Sequence, residues 1–334
     1  MPNFRRFYIQ MSRDILPGIL NRLLGSRPQP RGRQRCAFED WAIAVPFRYE
    51  PPPSDIRVAV IFHCFYADLA EPMVAALAAS QLTADIFVST DTAAKASIIG
   101  NVLRTWTRGS ATVRLVENRG RDIAPKMITF APVYDEYPLI LFLHAKQSAQ
   151  SGPGNPHTSY QDRWREYLLS CLAGSAAVIH SIKEIFRLHP EIGMVLPAHF
   201  EELRRRWPLD WGTNFRRARR LAWKMDIDIG ERGIIDFPSG SMFWARPAAL
   251  KPLLDLKLTF TDFPQEFCGN DGTIAHQIER LFLFSCEKAG FKWAKVLNED
   301  AAASEQLRKS INAPGDIAAF IAAHNFELLK DQPD

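Results

Sequence analysis

Cysteine is scarce and unpatterned in this sequence. Five residues, Cys36, Cys64, Cys171, Cys268 and Cys286, lie far apart, and no two form a CxxC pair. That spacing argues against a zinc site and against a disulfide framework, and it fits a reducing, cytoplasmic compartment. No run of about 18 apolar residues occurs, so no transmembrane helix is expected. The N-terminus has no compact apolar core followed by a small-residue cleavage site, so no signal peptide is expected. A Gly-rich P-loop, a GxSxG elbow and an HExxH helix are also missing, which removes the commonest nucleotidase, serine-hydrolase and metalloprotease signatures. There is no internal repeat and no low-complexity block.

What is present is a globular composition: 334 residues, 47% hydrophobic and 23% charged, enough for one large domain or two medium ones. The net charge of +4 hides an asymmetry. Residues 1–36 hold eight arginines and one acid, Asp14, a charge of +7, and the rest of the chain carries −3. In this arm Phe4, Phe7, Tyr8, Met11, Ile15, Ile19, Leu20 and Leu23 recur near helical spacing among Arg5, Arg6, Arg13 and Arg22. Such a basic amphipathic segment suits peripheral contact with an anionic membrane surface; the alternative is a helix packed on the body and kinked at Pro17. The stretch GSRPQPRGRQR after it reads as a linker, and residues 1–50 are taken as arm plus linker. A second basic run at 204–220 lacks a nucleic-acid motif, and the body is net acidic, so no nucleic-acid partner is expected. That run reads as a solvated or membrane-facing surface, or as a clamp on a phosphate-bearing acceptor.

The body alternates strand and helix. Strands are expected at 57–65, 84–91, 111–118, 138–146 and 192–200, and another within 234–250, with a turn at Pro238–Gly240. Helices are expected at 69–80, 93–107, 124–136 (broken at Pro132), 160–190 (divided at Gly174), from near Pro247, and after the NDG turn at 270–272. The tail beyond residue 300 reads as helical. This order predicts an α/β fold with a mainly parallel central sheet flanked by helices. Ligands bind such sheets outside the carboxyl ends of the strands. The polar turns fall there: Thr90 and Asp91 after the second strand, Asn118, Arg119, Gly120, Arg121 and Asp122 after the third, and His144, Lys146 and Ser148 after the fourth. The 118–122 and 144–148 segments are expected at neighbouring strand ends.

The set ENRGRD, LHAKQS, FPSGSMFWARPAAL and DGTIAHQIERLF, in this order within residues 55–295, resembles the rhamnan synthesis protein F family, associated with assembly of rhamnose-containing bacterial cell-surface polysaccharide. The resemblance implies a GT-A-like glycosyltransferase domain over 55–298, with a nucleotide-sugar half at about 55–150, an acceptor half at about 151–298 and a C-terminal tail at 299–334. It implies a nucleotide-sugar donor and a lipid-linked glycan acceptor. Thr90 and Asp91 then stand where such folds contact base or ribose, although Asp91 also suits an N-cap. Gly120 lets the chain approach a ligand, Asn118 and Asp122 fix the turn or contact the nucleotide, and Arg119 and Arg121 offer forked donors to phosphate. Otherwise the turn is a capped helix start with two solvent-facing arginines.

Many relatives of that superfamily hold a divalent metal with an Asp-x-Asp motif after the fourth strand. Here that place reads His144-Ala145-Lys146-Gln147-Ser148, so cationic side chains are expected to replace the metal and no metal ligand is assigned. A metal on His144 and a distant carboxylate is the alternative left open. Ser239, Gly240, Phe243, Trp244 and Arg246 are expected to wall the acceptor side, with strand alternation placing one of the two aromatics in the core. Asp271, with Glu266 in reserve, is the candidate base of an inverting transfer; otherwise Asp271 caps the helix after it. His276, Glu279 and Arg280 suit a polar network beneath the site. The rival to an enzyme is a non-catalytic nucleotide-sugar or glycan-binding assembly protein on the same fold.

Overall fold

The computed structural model describes residues 41–145, 156–206, 209–231, 235–266, 271–301 and 308–323. Continuous apolar runs make the interior strands. Val58–Cys64 (β2, VAVIFHC), Leu139–Ala145 (β5, LILFLHA) and Ile192–Pro197 (β6, IGMVLP) are buried on both faces along nearly their whole length, as strands covered on both sides require. Asp85–Thr90 (β3) lies beside β2, and Ala111–Leu115 (β4, ATVRL), half exposed, forms the edge. The other strands are Ala42–Val45 (β1), Phe243–Ala245 (β7), Lys292–Asn298 (β8) and Arg308–Lys309 (β9). They make one sheet of order β4-β3-β2-β5-β7-β6-β8-β1-β9. Every pairing is parallel except those of β7, which runs antiparallel to both β5 and β6.

Two apolar layers cover the sheet. One buries Val60, Phe62, Leu141 and Trp244 against Met73 and Leu77 of helix Ala70–Ala79, Ile99 of helix Ala93–Leu103 and Ile182 of helix Ala176–Leu188. The other buries Ile61, Phe142, Met194 and Phe243 against Leu221 of helix Phe215–Lys224, Leu250 of helix Pro247–Leu254 and Ile278 and Phe282 of helix Ile274–Lys288. The expected α/β class, with a mainly parallel sheet flanked by helices, is what forms.

Several elements differ from the expectation. Residues 42–45, assigned to the arm and linker, are a strand with exposures of 0–1%. Their AIAV is short but wholly apolar, and pairing with β8 places it inside the sheet. The strand at 292–298 is not apparent in sequence because two lysines interrupt it. The tail contributes β9 and helix Pro314–Ala323, whose Ile317, Phe320 and Ile321 join the core, so it is part of the body. The segment expected to be helical at 124–136 is a π-turn at Pro125–Thr129 and a short helix at Val133–Glu136, split where Pro132 stands.

β7 decides where a site can lie. It carries only three residues, yet it joins the two halves of the sheet. Because it runs against its neighbours, the turn before it, residues 238–241, emerges at the carboxyl edge of β5 and β6. The expectation of neighbouring strand ends needs correction: β4 is the edge strand, separated from β5 by β3 and β2. The turn after β4 still reaches β5. The Val116 N–H donates to the Thr90 carbonyl at 2.9 Å, and the Lys126 ammonium sits 5.6 Å from the Phe142 ring centroid. The chain crosses the ends of β3 and β2 to arrive there.

Candidate functional site

The carboxyl edge begins with three polar side chains level with one another. In the parallel register His63 of β2 pairs with Ser89 of β3 on one side and with His144 of β5 on the other. Laterally paired residues share a face, and this is the face that holds Ile61 and Phe142. His63 is buried, with Nδ1 3.0 Å from Ser89 Oγ. Burial pushes its imidazole down to about 4, and the Lys126 charge assists against the opposing pull of Asp122.

That depression makes a prediction. Below pH 6.5 the unfolded chain protonates this histidine while the folded chain does not, so acidification favours unfolding. Stability attributable to His63 should be intact at pH 7 and fall by about 3 kcal/mol on going from pH 6.5 to about 4. Urea unfolding across that range should show a shallower fall in His63→Asn than in the wild type. Identical slopes would mean that the folded protein titrates His63 normally.

Above these strand ends sits the NRGRD turn. Gly120 has φ +67°, and a Cβ there would lie 2.4 Å from the Phe263 ring and 2.5 Å from Ala124 Cβ. What approaches this glycine is therefore Phe263, not a ligand. The two arginines divide. Arg119 Nη1 donates to the Phe263 carbonyl at 2.9 Å and its Nε pairs with Glu117 at 3.2 Å, so it pins the turn to the 263–266 segment. The Asn118 carbonyl accepts from the Glu266 N–H at 3.3 Å in the same strip. Arg121 faces inward. Its N–H donates to Glu266 Oε1 at 2.8 Å and its Nη1 lies 3.0 Å from His276 Nε2. A guanidinium only donates, so Nε2 is the acceptor; Nδ1 lies 2.8 Å from Thr273 Oγ1 and accepts from the Thr273 N–H at 3.3 Å, closing a capping box at the start of the helix.

Asp122 accepts from the fully buried Lys126 ammonium at 2.8 Å, and the same ammonium donates to the Ser241 carbonyl at 2.7 Å. Glu279 takes the other side of that turn: Oε1 accepts from the Gly240 N–H at 3.0 Å and the Ser241 hydroxyl at 3.2 Å. Two turns far apart in sequence are thus locked together through Lys126 and Glu279.

Asp271 lies at the outer rim. Its Oδ1 accepts from Asn214 Nδ2 at 2.8 Å, its Oδ2 from Thr213 Oγ1 at 3.0 Å, and Arg280 Nη2 stands 3.7 Å away. Partial burial raises its pKa, but the hydrogen bonds from Asn214 and Thr213 and the Arg280 charge outweigh it and hold the carboxyl below its ordinary value. Asp271 does not cap the following helix: that helix starts at Ile274 and Thr273 is its N-cap. Arg280 ties the rim to the rest, donating from Nε to the Asp210 carbonyl and from Nη1 to the His276 carbonyl, both at 3.1 Å.

The chain belongs to the rhamnan synthesis protein F family. The family profile matches residues 48–291. The protein WxcX of Xanthomonas campestris pv. campestris, described as uncharacterized, is 32% identical over 239 residues in two strains. That alignment takes in 71% of this chain and 32% of WxcX, so the chain spans under half the length of the curated relatives it matches. Among solved structures, mouse xyloside xylosyltransferase 1 in its apo form aligns at 11% identity and TM-score 0.30, over 72% of this chain and 85% of that one. A likeness of that depth adds nothing to the functional argument.

The NRGRD turn and the DGTIAHQIER segment, distant in the sequence of this rhamnan synthesis family member, thus meet through Arg121, Glu266 and His276. Other residues are elsewhere. Asp91 forms an ion pair with Lys95 at 2.7 Å, and Thr92, not Asp91, caps the next helix. Thr90 is buried, and its hydroxyl has no hydrogen-bond partner among the described residues. Lys146 and Ser148 lie outside the described residues. Among the described residues no group of three or more His, Cys, Asp or Glu gathers closely enough to hold a metal ion.

The acceptor wall is overturned. Phe243 and Trp244 are both 0% exposed, because β7 is an interior strand with an apolar layer on each face, so neither offers a flat surface to a sugar. Arg246 is at the opposite edge of the sheet, donating to the Ile192 and Phe186 carbonyls at 2.9 and 2.6 Å. Ser239 is buried, its hydroxyl 3.0 Å from His199 Nδ1. His199 Nε2 in turn lies 3.5 Å from Asp236, which the buried Lys295 approaches to 3.2 Å. Gly240 has φ +85°, and a Cβ there would meet Leu168 at 2.8 Å. Its freedom serves the packing of helix Pro156–Ala173.

Sequence reasoning also passed over Lys126, Thr213 and Asn214. Lys126 had one local signal, its i,i+4 spacing from Asp122. The other two touch Asp271 across more than fifty residues, and no local pattern announces them.

Proposed function

We propose that this protein is a glycosyltransferase that moves a deoxysugar, rhamnose from a thymidine-diphosphate donor, to a growing lipid-linked glycan with inversion at the anomeric carbon. Membership in the rhamnan synthesis family supports the reading. The observation that carries it is the meeting of Arg121, Glu266 and His276 at the carboxyl edge of a parallel sheet, the edge where ligands bind in such folds. Arg121, with Lys146 and Ser148, is assigned to the leaving diphosphate, where fixed cations stabilise the charge that develops. Of the pair after β3, Asp91 is assigned to the nucleoside, and Thr90, fully buried, is not. Asp271 takes the proton of the acceptor hydroxyl as that oxygen attacks the anomeric carbon and the nucleoside diphosphate departs.

One observation favours a non-catalytic binding protein instead. Both Asp271 oxygens already accept hydrogen bonds, and a carboxylate held below its usual pKa is a weaker proton acceptor. Two measurements separate the readings. A thermal-shift screen of nucleoside diphosphates and their sugars should show stabilisation by thymidine diphosphate and its rhamnose conjugate, absent in Arg121→Ala; a ligand at 100 times its Kd adds about 2.7 kcal/mol. No shift with any nucleotide sinks the donor assignment. A shift without sugar release or transfer in the presence of a lipid-linked acceptor leaves the binding protein as the better account.

A further inference from the structure

Helix Phe215–Lys224 has a face that the proposed chemistry does not use. Its sequence FRRARRLAWK holds five cations and no acid. Ala218, Leu221 and Ala222 turn inward to the apolar layer, while Arg216, Arg217, Arg220, Trp223 and Lys224 are exposed. Trp223 is 54% exposed, one of three large hydrophobic side chains so placed among the described residues. The Arg219 guanidinium lies 4.7 Å from its ring centroid and also pairs with Asp228 at 3.4 Å. A solvated helix face gains nothing by holding an indole in water. An indole among arginines and lysine is the composition of a helix lying in a membrane interface, where the ring sits at headgroup level and the cations meet anionic lipid.

The location adds to this. Thr213 and Asn214, just before the helix, hold Asp271, and Arg217 Nη1 donates to the Gly272 carbonyl at 3.0 Å. The cationic face is therefore continuous with the rim of the candidate site. We propose that this helix docks the protein on an anionic membrane surface, with Trp223 seated among the headgroups and Arg220 and Lys224 on their phosphates. The Asp271 rim is thereby held beside the lipid leaflet. That this serves delivery of a lipid-linked acceptor rests on the transferase reading; the docking itself does not.

The test is sedimentation of the full chain with vesicles of phosphatidylcholine alone and of equal parts phosphatidylcholine and phosphatidylglycerol. Binding should require the anionic lipid and weaken with salt. Each surface cation contributes about fivefold to partition, so Arg220→Ala with Lys224→Ala should lower it about 25-fold. Trp223→Ala should lower it several-fold. All three positions are exposed, so folding should be untouched. The basic segment 1–36 is present in every sample and cancels in these ratios. Unchanged partition in the double variant overturns the proposal. So does a loss confined to the charge variant, with Trp223→Ala binding as well as wild type and double-stranded DNA competing vesicles off, which describes a general polyanion patch. Sedimentation reads no transfer, so its result is independent of the nucleotide screen.

Discussion

Replacing Lys126 by methionine is expected to destabilise the fold by about 3–5 kcal/mol, the range for removing one member of a buried ion pair. The side chain is 1% exposed and its ammonium has two partners, Asp122 Oδ2 at 2.8 Å and the Ser241 carbonyl at 2.7 Å. Burial lowers its pKa, opposed by the charge and hydrogen bond of Asp122 and by Glu279. Methionine keeps the length and apolar stem, so little volume is lost and the effect isolates the charge. What remains is a mostly buried carboxylate and a buried carbonyl, each without the donor it had. Asp122→Asn should cost less than Lys126→Met, because the amide retains an acceptor for the ammonium. The double variant should cost less than the sum of the two, since the charges are then removed together. Urea unfolding of the four proteins gives the coupling directly. A loss below about 1 kcal/mol in Lys126→Met would mean that the pair only offsets its own desolvation. The variant should also weaken nucleotide binding, because Lys126 joins the turn bearing Arg121 to the turn before β7.

Lys126 marks the limit of what was legible in the sequence. The central strands announced themselves because parallel strands buried on both faces must be apolar throughout, and VAVIFHC and LILFLHA have no other reading. The strand KWAKVLN did not, because its buried Lys295 pairs with Asp236, 59 residues earlier in the chain. The same logic governs the site. The polar turns were visible as arginine, glycine and aspartate after apolar runs. Their internal division was not, since Arg119 and Arg121 differ only in what the fold brings to each: a carbonyl of Phe263 for one, Glu266 and His276 for the other. The misreading of Phe243 and Trp244 has a specific cause. Strand alternation puts one aromatic outward only when one face of the sheet is open. β7 lies between β5 and β6 with helices on both faces, a fact set by topology and invisible in FWA.

Asp271→Asn carries the largest expected functional effect. If Asp271 is the base, transfer should fall by about 10²–10⁴-fold while donor affinity changes little, because its proton comes from the acceptor. The fold should survive. Thr273 caps the helix, so no cap is lost, and Asp271 is 40% exposed at its side chain, so water can replace a missing partner. The amide oxygen can still accept from one neighbour. The amide nitrogen would face another donor in either Thr213 or Asn214, at a cost of about 1 kcal/mol. A small change in melting temperature with a large change in rate is therefore the signature of a base. The pH dependence sharpens this. A base must be deprotonated to act, so its activity is lost as pH falls through its pKa. With Asn214, Thr213 and Arg280 holding the carboxyl below its ordinary value, that loss should lie below the usual carboxylate range, and the wild-type rate should show no acidic limb from Asp271 near neutrality. Undiminished turnover in a normally melting Asp271→Asn protein would remove it as the base. Glu266→Gln would then be the informative variant, although Glu266 also accepts the Arg121 N–H, so its loss should disturb donor binding as well as rate. That difference separates the two carboxylates: an Asp271 variant impaired in rate alone marks a base, and a Glu266 variant impaired in both marks a residue that positions the arginine.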